Sequence, residues 1–192
     1  MKEEEMIEKL SGMLTSGRLK HTLGVRDAAE KLAKLYHCDV QKAVIAALLH
    51  DCAKNIEPLQ MLQMCSNFGI VLDEISQKEV QLIHAPLGAK LAEVEFGIHD
   101  PEILEAIFYH TIAKENMSLL TKIIYIADFI EPGRNFPEVN EIRNKAFEDL
   151  DEAILLAVNR TIHYVLSKGG LIHPSTINAR NYILLHREKV LS

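Results

Sequence analysis

The sequence predicts an all-α fold, and three observations carry that expectation. Apolar residues recur at three- and four-residue spacing in one segment after another. Gly, Pro and capping residues punctuate those segments at helical lengths, and no run alternates apolar with polar residues as a half-buried strand would. With 192 residues, 48% hydrophobic and 25% charged, the chain is long enough to bury one sizeable core. Residues 1–192 are therefore expected to form a single compact helical domain.

Met6, Ile7, Leu10, Met13 and Leu14 keep helical spacing up to Gly17, which predicts an amphipathic first helix with a Gly stop. In the second helix His21, Val25, Ala28, Leu32 and Leu35 share one stripe, and Arg26, Glu30, Lys31 and Lys34 fall mostly outside it, so His21 points inward. Asp39 is placed to cap a third helix, Val40 to Lys54, whose run from Ala43 to Leu49 is apolar around most of its circumference and reads as a buried central helix. Pro58 and Gly69 open and close the next segment. Pro86 and Gly97 bound another, and Asp100-Pro101 supplies a cap and first turn. Ser118 can cap a helix from Leu119 to Ile130, broken by Pro132-Gly133; helices at about Asp151 to Lys168 and Ser175 to Val190 flank Gly169-Gly170. Glu131 to Pro137 reads as a loop.

Composition narrows the function. A net charge of −6 and no dense Lys/Arg cluster argue against a nucleic-acid partner. The three cysteines, Cys38, Cys52 and Cys65, have neither disulfide nor zinc-knuckle spacing and read as buried thiols of a reducing compartment. The acidic start (Glu3, Glu4, Glu5) is unlike a signal peptide and no apolar run is long enough to cross a bilayer, so the expectation is a cytoplasmic protein without a membrane partner. The amphipathic first helix leaves a homodimer open.

The chemistry is concentrated in a few polar residues at the ends of apolar helices. His50-Asp51 closes the central helix, where two buried polar groups are costly unless partnered. A helix-turn-helix hairpin around Asp39 brings the inward His21 toward them. Asp128 continues the line of Leu120 and Ile124 and is a natural fourth ligand. Two imidazoles and two carboxylates suit a divalent ion such as iron(II), manganese or zinc, with positions left for water and phosphate. Each residue alone is more often a hydrogen-bonded core group than a ligand; it is their conjunction that points to a metal.

His84, before Ala85-Pro86, and His110, followed by Thr111, also sit at helix junctions and can face the same cavity or cap their helices. Arg18, Lys54 and Arg134 lie beside these elements, where cations would balance a polyphosphate. The turn Gly170-Leu171-Ile172-His173-Pro174-Ser175 can offer backbone N–H groups and a helix N-terminus to an anion, or simply end a helix.

The order His21, His50-Asp51, Asp128, with Leu49-His50-Asp51-Cys52-Ala53-Lys54 at its centre, resembles the HD-domain metal phosphohydrolases. The chain is similar over almost its entire length to the YqeK family, through Arg18-Leu19-Lys20-His21-Thr22, His84-Ala85-Pro86-Leu87-Gly88-Ala89 and Ala127-Asp128-Phe129-Ile130-Glu131-Pro132-Gly133-Arg134. That resemblance implies an HD-domain bundle that cuts diadenosine tetraphosphate symmetrically into two ADP. It implies one iron-type ion on His21, His50, Asp51 and Asp128, with Asp51, His84 and His110 acting in catalysis. It further implies that Arg18, the Asp51-Cys52-Ala53-Lys54 segment, His84, His110, Thr111, Asp128, Arg134 and residues Gly170, Leu171, Ile172, His173, Pro174 and Ser175 line the nucleotide. The same histidines also resemble HD enzymes with two bridged metals, in which His84 and His110 become ligands. The competing functions are a nucleotidase for mono- or deoxynucleotides, with the same chemistry in a shorter pocket, and a non-catalytic module that senses ADP-like nucleotides.

Overall fold

The computed structural model describes residues 1–187, and among them every regular element is helical. Helices α1 (Glu3–Met13) and α2 (Ser16–Leu35) are followed by α3 (Val40–Leu49), α4 (Pro58–Asn67) and the short α5 (Glu74–Lys78). A single 3-10 turn, Val80–Leu82, leads into α6 (His84–Phe96) and α7 (Pro101–Tyr109). Then come α8 (Leu119–Ile130), α9 (Val139–Ala146), α10 (Leu150–Ser167) and α11 (Pro174–His186). The all-α expectation holds.

Two helices are apolar over most of their circumference and occupy the middle. In α8 the residues Ile123, Ile124, Tyr125, Ile126 and Ala127 are all buried, as are Ala46, Ala47, Leu48 and Leu49 in α3. A helix with so narrow a polar side must be covered by neighbours over the rest. α2 packs on both of them, α7 bridges them, and α6 leans on α7. On the far side α10 covers α8 and carries α9 and α11. The polar ends of α3, α7 and α8 and the start of α6 therefore meet inside this frame.

Several boundaries differ from the sequence reading, each for a local reason. The break after α1 comes at Leu14-Thr15, because the Thr15 side chain accepts the Arg18 N–H and caps α2; Gly17 lies inside α2 with open space around its Cα. α3 stops at Leu49, five residues short of Lys54, and the chain continues through tight turns in which Cys52 N–H donates to Leu49 O and Lys54 N–H to Asp51 O. α6 begins at His84 rather than Pro86, since proline fits the first turn without a hydrogen-bonding N–H. Asp39, Asp100 and Ser118 cap their helices as expected, and Gly97 takes a left-handed φ of 68° to close α6. α9 falls in a stretch left without an element: only Val139, Ile142 and Ala146 of its eight residues are buried, so the periodic signal rests on three residues. α11 ends at His186, and the last part of the helix expected to Val190 lies outside the described residues. None of the helices among those residues is long and apolar enough to cross a membrane.

Candidate metal centre and active site

Five helix ends deliver the cluster. His21 comes from α2, His50-Asp51 from the turn closing α3, His84 from the first turn of α6, His110 from the C-cap of α7 and Asp128 from the last turn of α8. Asp51 is the hub. Its Oδ2 lies 3.4 Å from His50 Nε2 and 3.7 Å from His21 Nε2, and Asp128 Oδ1 lies 3.1 Å from that same His21 nitrogen. Its Oδ1 lies 3.1 Å from His84 Nε2 and 3.6 Å from His110 Nε2. Two triads able to hold an ion, His21-His50-Asp51 and Asp51-His84-His110, thus share one carboxylate.

The outer nitrogens explain why the inner ones point inward. Each Nδ1 has an acceptor: Ala47 O for His50 at 2.6 Å, Gln81 O for His84 at 2.5 Å, Ile107 O for His110 at 2.7 Å, and Glu131 Oε1 for His21 at 3.1 Å. With the proton used on Nδ1, a neutral ring presents its Nε2 lone pair to the centre, as a metal ligand must. The Nε2 atoms of His21 and His50 are buried and have no aligned hydrogen-bond partner. Buried polar atoms are rarely left so, and neutral imidazoles around a carboxylate are the donor set a divalent ion takes. The residues present therefore fit a divalent metal.

Glu131 was not among the residues singled out from sequence. It is 5% exposed at the C-cap of α8, three residues after Asp128, and its second oxygen accepts the Gly133 N–H at 2.5 Å. Space for it is made by Gly24, where a Cβ would sit 2.7 Å from Glu131 Oε2. The only sequence signal was an acidic residue directly after an apolar helix, which is also how a loop begins.

Electrostatics follow from this crowding. Burial pushes the Asp51 carboxyl up, but His50, His110 and His84 outweigh it and hold it well below the usual carboxylate range. Asp128 is likewise raised by burial and lowered further by His21 and Arg134. Burial drives His84 down to about 4, so it stays neutral at ordinary pH. His50 moves up: burial opposes its charge, and the adjoining Asp51 carboxylate prevails.

The expected phosphate-side residues divide. Arg18 Nη1 donates to Asp51 Oδ2 at 2.8 Å, and the Arg134 guanidinium holds both the backbone and the carboxylate of Asp128, so two cations flank the centre. Lys54 Nζ lies 3.2 Å from His84 Nδ1. Cys52 and Ala53 are 1% and 0% exposed, and burial raises the Cys52 thiol to about 12; they pack beneath the turn and present no surface to a ligand. The Gly170–Ser175 turn is not an open anion cradle either: Leu171 N–H already donates to Glu79 Oε1 at 3.0 Å, and the His173 ring caps α11 by accepting the Ser175 N–H at 3.1 Å. Its His173 and Ser175 instead line a cleft of about 140 Å³ together with Thr111. A larger cleft, about 360 Å³, opens from His110, Thr111, Asp128 and Arg134.

The chain belongs to the HD-domain family, whose model (HD domain) matches residues 18–133 and so takes in His21, His50-Asp51, His84, His110 and Asp128. More particularly, it is 39% identical over 193 aligned positions to a protein of Halalkalibacterium halodurans named bis(5'-nucleosyl)-tetraphosphatase, symmetrical, covering 98% of this chain and 100% of that protein. A Bacillus subtilis protein of the same name is 37% identical, with 96% and 98% covered. The crystal structure of a predicted HD superfamily hydrolase involved in NAD metabolism, from Clostridium acetobutylicum, superposes with a TM-score of 0.94 at 43% identity, covering 97% of this chain and 99% of that one. The likeness to the YqeK family read from the sequence is borne out.

Proposed function

We propose that this chain hydrolyses diadenosine tetraphosphate at its central phosphoanhydride. Water adds its oxygen to one inner phosphorus, the bridging P–O bond breaks, and two ADP leave. The observation that carries this reading is the end-to-end similarity to two symmetrical tetraphosphatases in a chain whose histidine and aspartate ends converge on one point.

His21, His50, Asp51 and Asp128 would hold a divalent ion, iron(II) by preference and manganese or zinc as alternatives. Such an ion, when bound, acidifies water and polarises a phosphoryl oxygen. Arg18 and Arg134 stand on either side of the carboxylates with part of each guanidinium open, and Lys54 stands behind His84; the three cations offset the charge of the phosphate chain as it grows on the leaving oxygen. His110 and Thr111 lead from this centre into the larger cleft, and Thr111 also borders the smaller one. We place the reaction in the cytoplasm and assign the chain no nucleic-acid or membrane partner.

A second reading of metal number has its own support. His84 Nε2 and His110 Nε2 face each other at 3.1 Å, and both rings spend their protons on carbonyls. Two lone pairs at that distance, beside Asp51 Oδ1, need a proton or a cation between them. A second ion sharing Asp51 meets that need.

The test is product analysis of diadenosine tetraphosphate with purified protein and added iron(II), manganese or zinc, beside Asp51→Ala. Two ADP formed only by the intact, metal-loaded protein is the expected result. AMP plus ATP would refute symmetrical cleavage, and turnover of mononucleotides alone would favour a nucleotidase. Metal stoichiometry of the same sample separates one ion from two.

A further inference from the structure

The substrate proposed above has two nucleosides, and two clefts adjoin Thr111, of which only the larger has the volume of a small-molecule pocket. The clefts of about 140 Å³ and 360 Å³ meet at Thr111, which lines both. The larger one begins at the cluster itself, with His110 and Asp128 at its inner end, so whatever occupies it is joined to a group at the reacting centre. Its walls come from the end of α8, the turn before α9 and the last half of α10. Phe129 and Phe136 stand edge to face with centroids 6.2 Å apart, and Tyr164 borders the mouth from α10.

The polar groups in this cleft suit a nucleoside rather than a hydrocarbon. The Arg160 guanidinium lies over the Phe136 ring, 5.6 Å from its centroid, and its partner carboxylate, Glu138, is 3.7 Å away, too long for a tight pair. Thr161, whose hydroxyl donates to Ala157 O at 3.0 Å, adds a further polar group to the lining. Pockets for small molecules run from roughly 300 Å³ upward, and flat aromatic faces joined by a few polar groups are how bases are gripped.

Resting on the symmetrical-hydrolase reading, we infer that the cleft walled by Phe129, Phe136, Arg160 and Tyr164 holds one nucleoside of the dinucleotide while the other lies outside it, along the smaller cleft beside His173. Tyr164 and Phe136 supply stacking faces, and Arg160 hydrogen-bonds the base or ribose edge. This makes the three residues determinants of preference for a two-ended substrate.

The test compares Tyr164→Ala and Arg160→Gln with the wild type, and with Leu166→Ala as a control on an exposed part of the same helix. Tyr164 is 55% and Leu166 59% exposed, so neither truncation opens the core. With metal-loaded protein, and ADP at the concentration that just fills the wild-type sites, equilibrium dialysis is expected to find two ADP bound per wild-type chain and close to one per Tyr164→Ala chain. KM for diadenosine tetraphosphate should rise roughly tenfold in both cleft variants, the order expected for losing one base-stacking face. A misfolded variant would lose both ADP sites and is thereby recognised. Wild-type protein that splits the dinucleotide yet binds one ADP, or variants whose KM and ADP count stay unchanged, would overturn the cleft assignment. Wild-type protein that makes no ADP from the dinucleotide would overturn the underlying reading instead.

Discussion

Glu131→Gln is the sharpest probe of how this centre is built. The carboxylate serves two donors at once, His21 N–H through one oxygen and Gly133 N–H through the other. A glutamine of the same shape has one acceptor and one NH2 group, so in either orientation its NH2 meets an N–H. If the NH2 faces His21, the ring flips its proton to Nε2 and the inner lone pair is lost. If it faces Gly133, a buried donor goes unsatisfied at a cost of about 1–3 kcal/mol. Losing such an outer partner of a metal-binding imidazole weakens metal affinity by about 10- to 100-fold, or about 1.4–2.7 kcal/mol. Competition with a chelator of known affinity measures this directly, and a thermal melt of metal-free protein separates lost affinity from lost stability. Glu131→Gln protein that binds its metal as tightly as wild type would refute the idea that Glu131 sets the His21 tautomer.

Two further outcomes follow from packing and charge. Gly24→Ala gains helix propensity, yet its Cβ would lie 2.7 Å from Glu131 Oε2; metal affinity is expected to fall in the chelator assay, and an unchanged affinity would show that Glu131 can shift without consequence. Because folding lowers the His84 pKa from 6.5 to about 4, the unfolded chain takes up a proton there that the native protein refuses, so metal-free stability drains away as pH falls from about 6.5 to 4, by on the order of 3 kcal/mol from this group. His50, raised by Asp51, acts in the opposite sense, stabilising at low pH and ceasing to do so as pH rises through its native value. Denaturant midpoints across that range should therefore fall less steeply for His84→Leu than for wild type; parallel curves would contradict the assignment.

The helices were largely legible because their caps are local. Asp39, Asp100 and Ser118 each bond N–H groups two or three residues on, a chemistry that a four-residue window displays. His21, His50, Asp51 and Asp128 stood out because polar residues at the ends of apolar stripes contradict the pattern around them. Glu131 did not contradict anything, since its partner lies 110 positions earlier in the chain. Arg143 was illegible for the same reason: from α9 it donates to Ile130 O, Glu131 O and Arg134 O and so pins the turn that carries Glu131 and Arg134, a role visible only once the helices are packed. The open-turn reading of Gly170–Ser175 missed Glu79, which satisfies that turn from 92 residues away.

Three of the four tethered imidazoles bond the carbonyl three residues before them in their own segment, His50 to Ala47, His84 to Gln81 and His110 to Ile107. Their orientation is settled as soon as each short stretch coils, whatever the rest of the chain is doing. His21 alone waits for a remote carboxylate. In chain order, then, three rings can be aimed by their own segments before the fourth is, and the His21 ligand is set only once Glu131 has been made and α8 has docked. The protein's earliest-made ligand is the last to be aimed.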